Sequence, residues 1–144
     1  MPRSKSAALS DQVYEGLAGF RLAMRRFLAF SEAALAEAGV TSAQYQALLI
    51  VRSSPGRQVR LRDLAEQMLM QHNGAVQLVD RMCSAGLTER IPAEDDKRSV
   101  MISMTSKGRD VLEALARVHV DGMLENEPLL AESLARLRQV TELT

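Results

Sequence analysis

The stretch LRDLAEQMLMQHNGAVQLVDRMCSAGLTERIPAEDDKRSVMISMT, Leu61–Thr105, decides the fold, because its hydrophobic period changes within one short span. Leu61, Leu64, Ala65 and Met68 recur at the three- and four-residue steps that put side chains on one face of a helix. A turn must follow at once, since Ala75, Leu78, Val79 and Met82 form a second helical stripe over His72–Ser84, with Gly86 as its stop. Beyond Gly86 the period falls to two. Leu87–Ile91 and Ser99–Thr105 read as strands, the second alternating Val100, Ile102 and Met104 against Ser99, Met101 and Ser103. The run Pro92–Arg98 between them is charged. A short helix, a turn, a longer helix and a charged hairpin together predict a helix-turn-helix with a wing.

Outward from this segment the chain reads as helix. Val13, Leu17, Phe20, Met24, Phe27 and Leu28 are in helical phase up to Gly39. Thr41 or Ser42 then caps a helix through Tyr45, Leu48, Leu49 and Val51, which Ser54-Pro55-Gly56 ends, and Gln58–Arg60 is strand-like. After Ser106, Val111, Leu112, Leu115 and Val118 share a face. A break is expected at Asn126–Pro128, before a last amphipathic helix through Leu130, Leu134, Leu137 and Val140. The expected fold class is mainly α with a small β wing. The expected organisation is a single domain over 1–144, with a winged helix-turn-helix at 41–108 flanked by helical segments 11–38 and 109–143.

A chain of 47% hydrophobic and 25% charged residues, without a long apolar run or a signal-peptide pattern, is expected to be a soluble, cytoplasmic protein with no membrane partner. Its one cysteine, Cys83, allows no internal disulfide, and His72 and His119 alone make no metal cluster, so neither metal nor cofactor is expected. Lys and Arg balance Asp and Glu at 18 each, but unevenly: residues 1–56 and 57–109 each carry +2 and residues 110–144 carry −4. An acidic last third thus masks a mildly basic remainder. With no nucleophile–base pair, phosphate-cradling glycine loop or metal cluster, an enzyme is not expected.

Several segments in order resemble the MarR (multiple antibiotic resistance regulator) family of winged-helix transcription regulators. They are Val40–Leu48, Leu61–Met68, Ala75–Met82, Ala85–Arg90, Asp95-Asp96-Lys97-Arg98 and Met104–Gly108. The resemblance implies a DNA-binding repressor that acts as a homodimer on a pseudo-palindromic operator and responds to a small effector. It also implies that the first helix and the C-terminal helices build the dimer.

On the second helix of the motif, the face opposite the apolar stripe carries Asn73, Gln77, Asp80 and Ser84. Asn and Gln can each pair with adenine N6 and N7, so Asn73 and Gln77, with Gln71 and His72 nearby, are candidates for base readout; the plainer alternative is a solvated helix face. Gly74 permits close backbone approach to DNA or, equally, packing against the bracing helix. Arg81 is either a phosphate contact or the partner of Asp80 in an ion pair, the structural role being favoured. For the wing, the resemblance implies that Arg98 enters the minor groove while Asp96 orients its guanidinium, and Lys97 then contacts phosphate. A planar, permanent cation suits a narrow groove of negative potential. The alternative is a charged tip that only keeps an edge strand soluble. Arg57, Arg60, Arg62, Arg90 and Lys107 are further candidates for backbone contact.

The family's effectors are small aromatic or phenolic anions. The corresponding lining would be Phe20, Met24, Phe27, Tyr45 and Leu49, with Arg21, Arg25 or Arg26 for the anion, although each also suits core or surface. Cys83 reads as a small buried residue rather than an oxidant sensor. The zero net charge keeps a second function class open, a winged-helix dimer that binds protein instead of DNA.

Overall fold

The computed structural model describes residues 8–96 and 98–142, and its elements follow the order α1 (Asp11–Ala38), α2 (Ser42–Ser53), β1 (Gln58–Arg60), α3 (Leu61–Gln67), α4 (His72–Ser84), β2 (Thr88–Pro92), β3 (Val100–Met104) and α5 (Ser106–Glu142). A 3-10 turn, Pro55–Arg57, precedes β1. The chain divides into two compact units, Glu32–His119 and the pair of segments before and after it.

Within Glu32–His119, each helix start and stop has a local cause. Gly39, at φ 69°, ends α1, a left-handed conformation that only glycine adopts without cost. Thr41 and Gln44 then form a reciprocal capping box: the Thr41 hydroxyl accepts from the Gln44 N–H and the Gln44 side chain accepts from the Thr41 N–H, both at 3.1 Å. Gly86, at φ 76°, closes α4. The sheet has the order β1-β3-β2, antiparallel throughout, with Val59 opposite Ile102 and Arg90 opposite Ile102 on the other side. Ile102, Met104 and Val59 turn inward to join Leu48, Val51, Leu64, Val79 and Met82 in one core. That core fixes the faces of α3 and α4 that remain outside.

The start of α5 is locked to the end of α4 by the Met104–Gly108 motif. The Thr105 hydroxyl bonds the Gly86 carbonyl and accepts from the Gly108 N–H at 3.0 Å, while Lys107 Nζ donates to the Ala85 carbonyl at 2.8 Å. Gly108 is required there, because a methyl group on it would collide with the Leu87 carbonyl.

In the other unit, α1 and α5 meet through small residues: Gly16 lies against Leu137, Gly19 against Ser133 and Gly122 against Phe30. Arg136 spans Glu15 at 2.5 Å and Glu132 at 2.8 Å. The expected break at Asn126–Pro128 is absent: α5 runs through Pro128 as one helix. Proline removes only its own N–H and crowds the carbonyl four residues back, and here that residue, Leu124, is 65% exposed. Packing on either side of this point, Gly122 against Phe30 and Ser133 against Gly19, holds the helix where the local rule would stop it. Tyr14, Leu17, Leu22, Met24 and Leu28 of α1 and Met123, Leu124 and Leu134 of α5 remain exposed.

Candidate nucleic-acid interface

Helix α4 has two unlike faces. Ala75, Leu78, Val79 and Met82 are buried, whereas Gln71, His72, Asn73, Gly74, Gln77, Asp80 and Arg81 are exposed. Gln71 occupies the N-cap position but makes no capping bond with its side chain, so its amide is left for an external partner. Gly74 is not demanded by internal packing: a methyl group there would meet only the Met70 Cβ, at an ordinary 3.9 Å.

The helix faces a cationic groove. Arg62 near the start of α3, His72 at the start of α4 and Arg98 in the loop of the wing line one cleft of about 290 Å³ together with Arg60, Leu61, Ser99 and Val100. The Arg62 side chain is 84% exposed, with Asp63 no closer than 4.0 Å. Such a pair in water contributes little, and its charge remains available.

The wing differs from expectation in its wiring. Asp96 does not orient the Arg98 guanidinium; its carboxylate accepts from the Arg98 backbone N–H at 2.9 Å and from the Ser99 hydroxyl at 3.3 Å. A short side chain two residues upstream reaches the backbone of a tight turn more readily than the end of a long side chain. The cation held by the wing is instead Arg60 of β1, which pairs with Asp95 and holds that carboxyl below the usual carboxylate range. Asp80 likewise pairs with Arg90 of β2 at 2.5 Å and not with its neighbour Arg81, because adjacent helix positions point apart. Arg60, Arg90 and Lys107 are thus engaged inside the chain, leaving Arg57, Arg62, Arg81 and Arg98 as exposed cations of the candidate set among the described residues. Lys97 lies outside the described residues.

Of the five expected effector-lining residues, Phe20, Met24 and Phe27 belong to one unit and Tyr45 and Leu49 to the other. Met24 and Phe27 line a small apolar cavity of about 110 Å³ with Ala23, Met123, Asn126 and Leu130, and Phe20 is half-buried. Tyr45 stacks on the buried His119 at 4.4 Å between ring centroids, and burial pushes its phenol pKa up. Leu49 lines a different cavity, beside Arg52 and Arg109. Cys83 is half-buried, 3.5 Å from the Thr88 hydroxyl and 3.7 Å from an Arg90 nitrogen.

Residues 38–99, from the end of α1 to the end of the wing turn, match the family model of the MarR family. Over that segment the chain is similar to the MarR family. MarR family proteins are transcription regulators rather than enzymes. Solved members share the fold across nearly the whole chain. AbsC of Streptomyces coelicolor has a TM-score of 0.74 at 23% identity, covering 94% of this chain and 93% of that one. A second S. coelicolor MarR family regulator, solved in complex with DNA, has 0.71 at 21%, covering 97% and 91%. A mutant MarR of E. coli, solved with operator DNA, has 0.69 at 20%, covering 94% and 97%. Among curated proteins, the transcriptional activatory protein BadR of Rhodopseudomonas palustris is 31% identical over 80 residues. That match spans 55% of this chain and 46% of BadR, so less than half of BadR's length is represented.

Proposed function

We propose that this chain is a MarR-type, sequence-specific DNA-binding regulator that works as a homodimer in the cytoplasm. The observation that carries the reading is the groove of Arg62, His72 and Arg98 beside the exposed Gln71–Gln77 face of α4. Asn73 and Gln77 are the right residue types for adenine edges in the major groove. Gly74 lets the backbone approach, Arg62 and Arg81 meet phosphates, and Arg98 extends from the wing into a minor groove. Asp96 acts as a positioning residue that sets the turn from which Arg98 projects.

Dimerisation completes the function, since one reading helix covers only a half-site. The exposed apolar side chains of α1 and α5, among them Leu17, Leu28, Met123 and Leu124, support an isologous interface, and a two-fold dimer implies a pseudo-palindromic operator. Bound across a promoter, such a dimer represses, and a small aromatic or phenolic effector releases it.

The test is a mobility shift on a duplex from the chain's own upstream region, with Arg98→Ala beside the wild type. Arg98 is exposed, so the variant should fold and associate normally while affinity falls about tenfold or more, the usual scale for losing one charged contact. If the wild type shifts no upstream duplex at low salt, the chain does not act on DNA in this way; if Arg98→Ala binds normally, the wing arginine has no part in it.

A further inference from the structure

Helices α1, α3 and α4 end in one hydrogen-bond pattern. The first residue beyond the cap takes a positive φ and its N–H donates three residues back, while the next N–H donates five residues back. Gly39 donates to Ala36 and Val40 to Leu35, both at 3.1 Å; Leu69 donates to Glu66 at 3.1 Å and Met70 to Ala65 at 2.9 Å; Gly86 donates to Cys83 at 3.0 Å and Leu87 to Met82 at 2.9 Å. An apolar residue completes each turn from the inside, Val40 and Leu87 buried and Met70 packed against the core.

The residue in the left-handed position differs. Glycine supplies it after α1 and α4, at φ 69° and 76°, whereas leucine supplies it after α3, at φ 55°. A Cβ is strained in this region, and leucine has none of the local hydrogen bonds that let asparagine adopt it. Burial does not offset the strain, because Leu69 is 94% exposed, more than any other large hydrophobic of the described residues. Glycine would satisfy the same two hydrogen bonds without either cost. An unfavourable conformation that holds an apolar side chain in water points to a partner outside the chain.

The position in the fold says which partner. Leu69 lies three residues before His72, where α4 begins, and Gln71 between them is exposed with its amide unused as a cap. The start of a recognition helix is the part that enters a major groove. Base edges there carry hydrogen-bonding groups from every base and one apolar group, the C5 methyl of thymine. A leucine side chain has nothing to offer a phosphate or a polar edge, but it can cover that methyl.

We propose that Leu69 is a specificity-determining residue of the DNA interface, its side chain covering the C5 methyl of one thymine in each half-site. This role rests on the regulator reading and adds a second kind of recognition to it. Asn73 and Gln77 select adenine by hydrogen bonds from α4, and Leu69 selects thymine by apolar contact from the turn before that helix. Loss of the methyl should weaken binding about fourfold, the scale of returning one apolar carbon to water.

Replacing thymidine by deoxyuridine, one position at a time along the bound upstream duplex, removes a methyl and leaves every hydrogen-bonding group in place. Binding isotherms on this series, with thermal denaturation of the free proteins, compare wild type, Leu69→Gly and Leu69→Met. Wild type should lose about fourfold at one thymine per half-site. Leu69→Gly should bind the thymine and uracil duplexes alike there, yet melt no lower than wild type, since glycine suits the turn; lost discrimination is thereby separated from lost folding. Leu69→Met, apolar and of similar volume, should keep the preference. A wild type indifferent to every replacement, or a Leu69→Gly protein with the same thymine preference as wild type, overturns the proposal. Uniformly weaker binding by Leu69→Gly, with no thymine preference in wild type, would set the leucine against deoxyribose and overturns it too. These results remove only the role of Leu69, whereas a wild type that shifts no upstream duplex at low salt removes the regulator reading and this role with it.

Discussion

Gly74 sits near the start of a helix that buries its opposite face, at a position where alanine would fit. In a free helix, glycine costs about 1 kcal/mol relative to alanine, so its presence is a loss of stability that internal packing does not explain. Gly74→Ala should therefore raise the melting temperature by about 2–4 °C and at the same time weaken operator binding, because a methyl group would hold the helix off the DNA. Thermal denaturation and a binding isotherm on the same preparation check both signs; higher stability with unchanged affinity would leave the glycine without a function. The residue scale is also where the sequence was least legible. Asp96 and Arg98 are visible as a charged pair, but which atoms meet is decided by the turn, and the carboxylate serves the Arg98 backbone. Asp80 and Arg81 adjoin in sequence, yet Asp80 reaches Arg90 across to β2. Pairing between elements depends on register, which a one-dimensional pattern does not carry.

At the scale of elements, periodicity was enough to locate α3, α4 and the two wing strands, because each buries one face in the same core and so keeps a clean pattern. The same reasoning failed at Pro128, where a local breaker lies inside a helix held by contacts distant in sequence: Gly16 with Leu137, Gly19 with Ser133, and Gly122 with Phe30. Proline in a helix interior costs about 3 kcal/mol through its missing N–H and its clash with the preceding turn. Pro128→Ala should accordingly stabilise the protein by about 1–3 kcal/mol, read as a shift of the denaturant midpoint at unchanged slope. Were the chain broken at this point, with proline fitted to a turn, the substitution would be neutral or destabilising, so the sign alone decides between a continuous and an interrupted helix.

For the whole molecule, the formal charge is zero, which on its face opposes a polyanionic partner. The ion pairs alter that judgement. Asp95 and Asp80 are taken by Arg60 and Arg90, while Arg62, Arg81 and Arg98 stay exposed. A homodimer would present six such cations to one duplex, and at about 0.9 counterions released per phosphate neutralised, log affinity should fall against log salt with a slope of about −5. Between ~50 and ~200 mM salt, that is a loss of ~1,000-fold, despite a chain with no net charge. Arg62→Ala removes one cation per protomer and should make the slope shallower by about two, with little change in sequence preference, because a phosphate contact carries no base information. Anisotropy of a labelled operator duplex across a salt series measures both. A slope near zero for the wild type would mean that these three arginines do not engage the duplex, and that the exposed face of α4 is turned toward a partner other than DNA.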